Sequence, residues 1–420
     1  MSETFQTSLE KYADIIVNIG LNLQKHQRLS IGAGLPDAEL VRLIAKKAYQ
    51  LGVPFVDVRW NDEKLHRIRF DHSVPEFLTE VPNWPVAREH EYGERGDATL
   101  SFHSTDPNLL EGINPDLIGK YRKAVSQKYE PTFKYIDNNT QNWCVVSTAT
   151  PAWAKKVFPD LPVEQAQEKL WEAIFDACRV KLADPVKAWR DHTDRLHRQC
   201  DYLNAKKYIS LHYRSAPLAG RTLGTDLKVG LPENHIWMGA SSTTVGGIEF
   251  IPNLPTEEVF CLPHREKAEG YVSSSMPLIL SGNMIDAFTL TFENGRVSKV
   301  TAKQGEEHIR KLLETDENAS RLGEVALVPD SSPISQRRHL FYNTLFDENA
   351  SCHLALGTAY RYNLKGGSEM TKEQFIAAGG NDSLIHVDFM IGSNQMNIDG
   401  IRADGSREPV MRNGEWAIEI

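Results

Sequence analysis

The chain has 420 residues, 41% of them hydrophobic and 25% charged, with a formal net charge of -9 at pH 7. That apolar fraction is enough for a sizeable core, which excludes disorder of the whole chain, and the acidic balance disfavours nucleic acid as a partner. No stretch nears the ~18 uninterrupted apolar residues that a membrane-spanning helix needs, so no membrane partner is expected.

The start, MSETFQTSLEKY, lacks the basic and then apolar regions of a secretory signal. Cys144, Cys178, Cys200, Cys261 and Cys352 form no CxxC pair. Neither a disulfide framework nor a zinc ribbon is expected, and a cytoplasmic location fits best.

In chain order, the first signal is a helix from Asp37 with Leu40, Leu43, Ile44, Ala48 and Leu51 on one face and Gly52 as its stop. Short apolar runs flank it, Arg28-Leu29-Ser30-Ile31 and Val53-Pro54-Phe55-Val56-Asp57-Val58. Strand, helix and strand in so short a span predict a βαβ unit, and so an α/β N-terminal domain with a partly parallel sheet. Gly32-Ala33-Gly34 is half of a dinucleotide fingerprint, but Asp37 stands where the third glycine belongs and would repel a pyrophosphate. Asp37 is better taken as a helix cap. His90-Glu91 opens like a zinc-protease helix, but Glu94 replaces the second histidine.

Two further helices are predicted, one from Pro162 carrying Val163, Ala166, Leu170, Ile174 and Cys178. The other is capped by Asp184 and carries Pro185, Val186, Trp189, Leu196, Cys200 and Leu203. Beyond about residue 205 short strand-like runs take over: Tyr208–Leu211, Asp226–Val229, Ala287–Phe292 and Gly323–Val328, with Asn294-Gly295 as a hairpin turn. These patterns predict two domains, 1–205 and 206–420, the second of α+β type and carrying the chemistry.

The second half holds polar residues inside apolar runs. Glu324 interrupts Leu322-Gly323-Glu324-Val325-Ala326-Leu327-Val328, where an unpaired buried carboxylate is costly. It either faces solvent or is neutralised by a cation. In Leu384-Ile385-His386-Val387-Asp388-Phe389, His386 and Asp388 are two apart and share a strand face, as two ligands, as an imidazole oriented by a carboxylate, or as a solvated face. His353 follows Cys352, and Tyr360 comes seven residues later. The Cys352-His353 pair suggests a thiol nucleophile, but adjacent residues rarely face each other productively. Glu257-Glu258 ends a proline-containing loop. Three carboxylates and two imidazoles from separated segments suffice for a two-metal site binding zinc, cobalt, manganese or magnesium.

Four ordered segments are more specific. Asn253-Leu254-Pro255-Thr256-Glu257-Glu258-Val259-Phe260, Arg321–Val328, Asn349–Gly357 and Asn381–Ser393 resemble the motifs of the aminopeptidase T / aminopeptidase S family, the thermophilic-type metallo-aminopeptidases. The resemblance implies an α/β N-terminal domain, a catalytic C-terminal domain, a homodimer, and release of N-terminal residues from peptides with a free N-terminus. It implies two divalent metal ions held at Glu258, Glu324, His353, His386 and Asp388, with Tyr360 catalytic. The general base is left open among Glu258, Glu324 and Glu257. One segment departs from the family pattern: Cys261-Leu262-Pro263-His264 stands where Thr-Ala-Pro is usual, which puts metal preference in question. Another metal-dependent amide hydrolase, such as a dipeptidase or amidase, and a non-catalytic metal-stabilised interaction protein are the alternatives.

Overall fold

The computed structural model describes residues 4–280 and 283–419. They divide into two compact units, Met1–Asp191 with Ser241–Pro255, and His192–Ala240 with Thr256–Ile420.

In the first unit, strands β1 (Leu29–Gly34), β2 (Val56–Asn61), β3 (Ala98–Phe102) and β4 (Trp143–Val146) form a four-stranded sheet in the order β2-β1-β3-β4. Every pairing is parallel. The helices α1 (Phe5–Ile15), α2 (Ala38–Leu51), α3 (Glu63–His72), α4 (Asn83–Arg95) and α5 (Pro115–Asp137) accompany it. Strand alternation gives the sheet two unlike faces. Leu29, Ile31, Ala33, Ala98 and Leu100 are buried on one, and α2 buries Leu40, Ile44 and Ala48. The other face carries Ser30, Gly32, Asp57, Arg59, Thr99 and Ser101, which align across β1, β2 and β3.

Asp37 stands at the start of α2 but does not cap it. Its carboxylate turns back to accept the Gly34 N–H at 2.7 Å and the Thr148 hydroxyl. The short turn Leu35–Asp37 intervenes and re-aims the side chain. Asp184 does cap its helix, Pro185–Lys206, by accepting the Lys187 N–H at 2.9 Å.

The second unit is built on antiparallel sheets of eight and five strands. One contiguous core joins them, with Leu211, Tyr213, Leu227 and Phe292 from the larger sheet beside Val325, Leu354 and Phe389 from the smaller. Asn294 and Gly295, at φ 51° and 76°, make the tight turn between strands Thr289–Glu293 and Arg296–Thr301. A side chain at Gly295 would lie 2.1 Å from the Arg265 carbonyl oxygen. Among the described residues, no helix is long and apolar enough to cross a membrane.

Candidate metal centre

The smaller sheet places the polar residues of the second half. Its strands His386–Met390, His353–Gly357, Leu322–Leu327, Val259–Cys261 and Met238–Gly239 are neighbours in that order. His353 lies opposite both Ala326 and Met390, and Ala355 lies opposite Asp388. The register slips between Leu322 and Glu324, where a side chain on Gly323 would sit 2.2 Å from the Thr358 carbonyl oxygen. Glycine there lets the strand bulge, and a bulge re-aims the side chain that follows it. Gly357, at φ 106°, pairs with His386 in a regular register, and only glycine fits there, since a Cβ would meet the Ile385 carbonyl oxygen at 2.1 Å.

The result is two linked groups of ligand-type atoms, Glu258 with Glu324 and His353, and Glu324 with His386 and Asp388, each within 4.8 Å of one another. Glu324 belongs to both. Its Oε1 is 3.5 Å from Nε2 of His353, and its Oε2 is 3.6 Å from Nε2 of His386. Glu258 Oε2 approaches His353 Nε2 to 3.2 Å, and Asp388 Oδ1 approaches His386 Nε2 to 3.3 Å. Both of these carboxylate oxygens are buried and make no hydrogen bond.

The far nitrogens of the two imidazoles are engaged. Nδ1 of His353 lies 3.1 Å from the Ser351 carbonyl oxygen, and Nδ1 of His386 lies 2.8 Å from that of Thr358. A carbonyl only accepts, so each Nδ1 carries its proton and each Nε2 is left with a lone pair for a cation. Without a cation the alternative is an extra proton. Burial opposes charge on His353, but the adjoining Glu258 and Glu324 carboxylates outweigh it and raise the imidazole well above its ordinary value. The same balance, with Asp388 as the nearest carboxylate, lifts His386 to about 10. Burial would raise Asp388, yet His386 holds it below the usual range. Burial pushes Glu324 up, only partly offset by His353 and His386. Orphaned buried oxygens facing imidazole lone pairs fit divalent cations of borderline or hard character.

All five expected ligands therefore meet in one place. Tyr360 joins them, its ring 4.9 Å from that of His386 and stacked on Tyr362 at 5.1 Å. The residue is 39% exposed, yet partial desolvation of the phenol, with the Glu324 charge beside it, raises it well above 10, so it stays protonated and able to donate. Glu257 lies elsewhere: its carboxylate is 3.6 Å from Nε2 of buried His192, and its backbone N–H donates to Asn349 Oδ1 at 2.7 Å. Cys261 is wholly buried in the apolar core, with its thiol pushed well above the ordinary value by burial. His264 serves a turn, accepting the Glu266 N–H at Nδ1.

Glu348 was not anticipated. It opens the short turn Glu348–Ala350, and burial together with the charges of Glu258 and Asp388 raises its carboxyl well above the usual range. Its sequence neighbours are polar, so no apolar run marked it. The available signal was an acidic residue just ahead of an otherwise buried segment, Asn349–Gly357.

A family model described as thermophilic metalloprotease (M29) matches residues 5–416. Aminopeptidase AmpS of Bacillus subtilis is 46% identical, covering 99% of this chain and 100% of that protein. Aminopeptidase 2 of Geobacillus stearothermophilus is 47% identical, over 99% of each chain. The solved structure of wild-type AmpT from Thermus thermophilus superposes with a TM-score of 0.92 at 43% identity, covering 99% of this chain and 100% of that one.

Proposed function

Because the chain belongs to the thermophilic metalloprotease (M29) family and is a metallo-aminopeptidase, we propose that it releases single residues from the free N-terminus of peptides at a two-cation centre. The cations would be held by Glu258, Glu324, His353, His386 and Asp388, with Glu324 shared. The observation that carries this is the pair of orphaned buried oxygens, on Glu258 and Asp388, each facing an imidazole nitrogen.

The residues present fit the group. When bound, divalent cations at such a centre make water a nucleophile near neutral pH and polarise the scissile carbonyl. The chain's own residues do the rest. Ser351 and Thr358 carbonyls fix the two imidazoles through Nδ1. Tyr360 donates a hydrogen bond to the oxyanion that develops as the carbonyl carbon becomes tetrahedral. Glu348, a carboxyl close enough to Glu258 and Asp388 to feel their charges, is the candidate to carry a proton between the attacking water and the departing amine. A carboxylate of the site pairs with the substrate's free ammonium, which gives exopeptidase specificity. A cytoplasmic homodimer completes the reading, and the five cysteines, all free and buried, suit a reducing setting.

Parallel assays on Leu-p-nitroanilide and its N-acetyl analogue test it. Cleavage confined to the free amine is expected. Equal cleavage of both would make the protein a general amidase.

A further inference from the structure

Parallel sheets are ordinarily covered by apolar side chains on both faces. In the first unit one face departs from this. Between that face and helices α4 and α5 lies a cavity of about 570 Å³. Its floor is Ser30, Thr99, Ser101 and Gln141. Gln141 is 5% exposed, and its Oε1 is buried without a hydrogen-bond partner. Above this floor the helices contribute Trp84, Val125, Tyr129, Phe133 and Ile136 to the lining. The nearby apolar cluster, Phe70, Leu78 and Ile118, is a separate one.

Arg59 reaches across the floor. A Cβ on Gly32 would lie 2.9 Å from Arg59 Nη2, so the glycine makes room for the guanidinium. Arg59 Nη1 donates to Glu89 Oε1 at 2.9 Å, and both side chains line the cavity. One bond uses only one of five guanidinium N–H groups, and Glu89 keeps its second oxygen. The rim is aromatic, with Trp84 66% and Phe133 44% exposed. Aromatic side chains around a few convergent polar groups are the usual lining of a small-molecule site, and Arg88 holds the Trp84 ring from 5.6 Å.

We propose that this cavity binds a free α-amino acid with a large apolar side chain, in its zwitterionic form. Arg59 takes the carboxylate through its free N–H groups, and Glu89 takes the ammonium. Trp84 and Phe133 cover the side chain, while the hydroxyl floor and Gln141 complete the polar contacts. One arginine beside one glutamate is close to neutral, which selects a zwitterion over a phosphate dianion. The lining carries this assignment independently of the peptidase reading, although free amino acids are also what that reaction would release.

The test is hydrogen–deuterium exchange of the metal-loaded full chain with L-phenylalanine, 3-phenylpropionate or phenethylamine added. L-Phenylalanine is expected to slow exchange in segments 84–89 and 125–136. Arg59→Gln should weaken that effect by roughly tenfold to a hundredfold while Leu-p-nitroanilide turnover stays unchanged. Glu89→Gln should weaken L-phenylalanine and spare 3-phenylpropionate. Unprotected segments in the unmutated protein would overturn the site. Protection that survives Arg59→Gln, or equal protection by phenethylamine, would overturn zwitterion recognition. The exchange outcomes do not depend on whether peptide hydrolysis is observed.

Discussion

Oε2 of Glu258 lies 3.2 Å from Nε2 of His353 and makes no hydrogen bond with it. The reason is on the other side of the ring, where Nδ1 is held by the Ser351 carbonyl. Two lone pairs facing each other inside a protein repel unless a cation or a proton lies between them. The same relationship recurs between Asp388 and His386. Repetition of this arrangement on either side of Glu324 is what supports the proposal of two cations.

Glu324 is the residue common to both groups. Glu324→Ala is expected to lower the content of both cations and reduce turnover by at least ~100-fold, more than the loss of an outer partner typically costs. Elemental analysis beside kinetics checks this. Retention of full metal content would mean that Glu324 does not join the two groups.

Tyr360 separates catalysis from metal holding. Tyr360→Phe keeps the ring against His386 and Tyr362 and removes only the hydroxyl. Turnover on Leu-p-nitroanilide should fall by ~100–1000-fold, with little change in KM and none in metal content. A rate loss accompanied by metal loss would instead make the phenol a support of the site.

Cys261 is a packing residue despite lying three positions after Glu258. Cys261→Ala should leave the order of activation by zinc, cobalt, manganese and magnesium unchanged. It should lower stability by about 1–2 kcal/mol for the small cavity it opens. A reordered metal preference in that variant would place the thiol at the cations.

Much of this centre was legible in the sequence, for identifiable reasons. Glu324 stood out because a carboxylate inside an apolar strand demands a partner. His386 and Asp388 stood out because alternation puts them on one face. The convergence of the four segments was carried by the resemblance, since spacing along a chain does not fix which strands pair. Glu348 escaped because its neighbours in sequence are polar and its burial comes from distant segments. The return of Ser241–Pro255 to the first unit likewise rests on tertiary pairing, such as the bridge between Val145 and Asn253, that local periodicity does not encode. The sidedness of the first unit's sheet was present in β1 and β3, where Ser30, Gly32, Thr99 and Ser101 alternate with apolar residues.

Away from the centre, Asp399 links acid stability to two arginines. Burial would raise its carboxyl, but hydrogen bonds from Arg412 and Arg214 hold it below the ordinary value. A depressed folded-state pKa contributes stability that is present above the unfolded value and lost as pH falls through the folded one. Asp399→Asn should therefore cost roughly 1.5–3 kcal/mol at pH 7, with both arginine heads partly in water, and less and less as pH falls from there through the depressed folded-state value. Urea unfolding of both proteins across that range checks the sign. A cost that grows with acidity would contradict it.

The most direct measurement is turnover of Leu-p-nitroanilide by chelated protein titrated with zinc or cobalt, with bound metal counted in the same samples. No activity is expected without metal, and full recovery is expected as occupancy approaches two ions per chain. Undiminished turnover in protein shown by elemental analysis to be free of metal would contradict it.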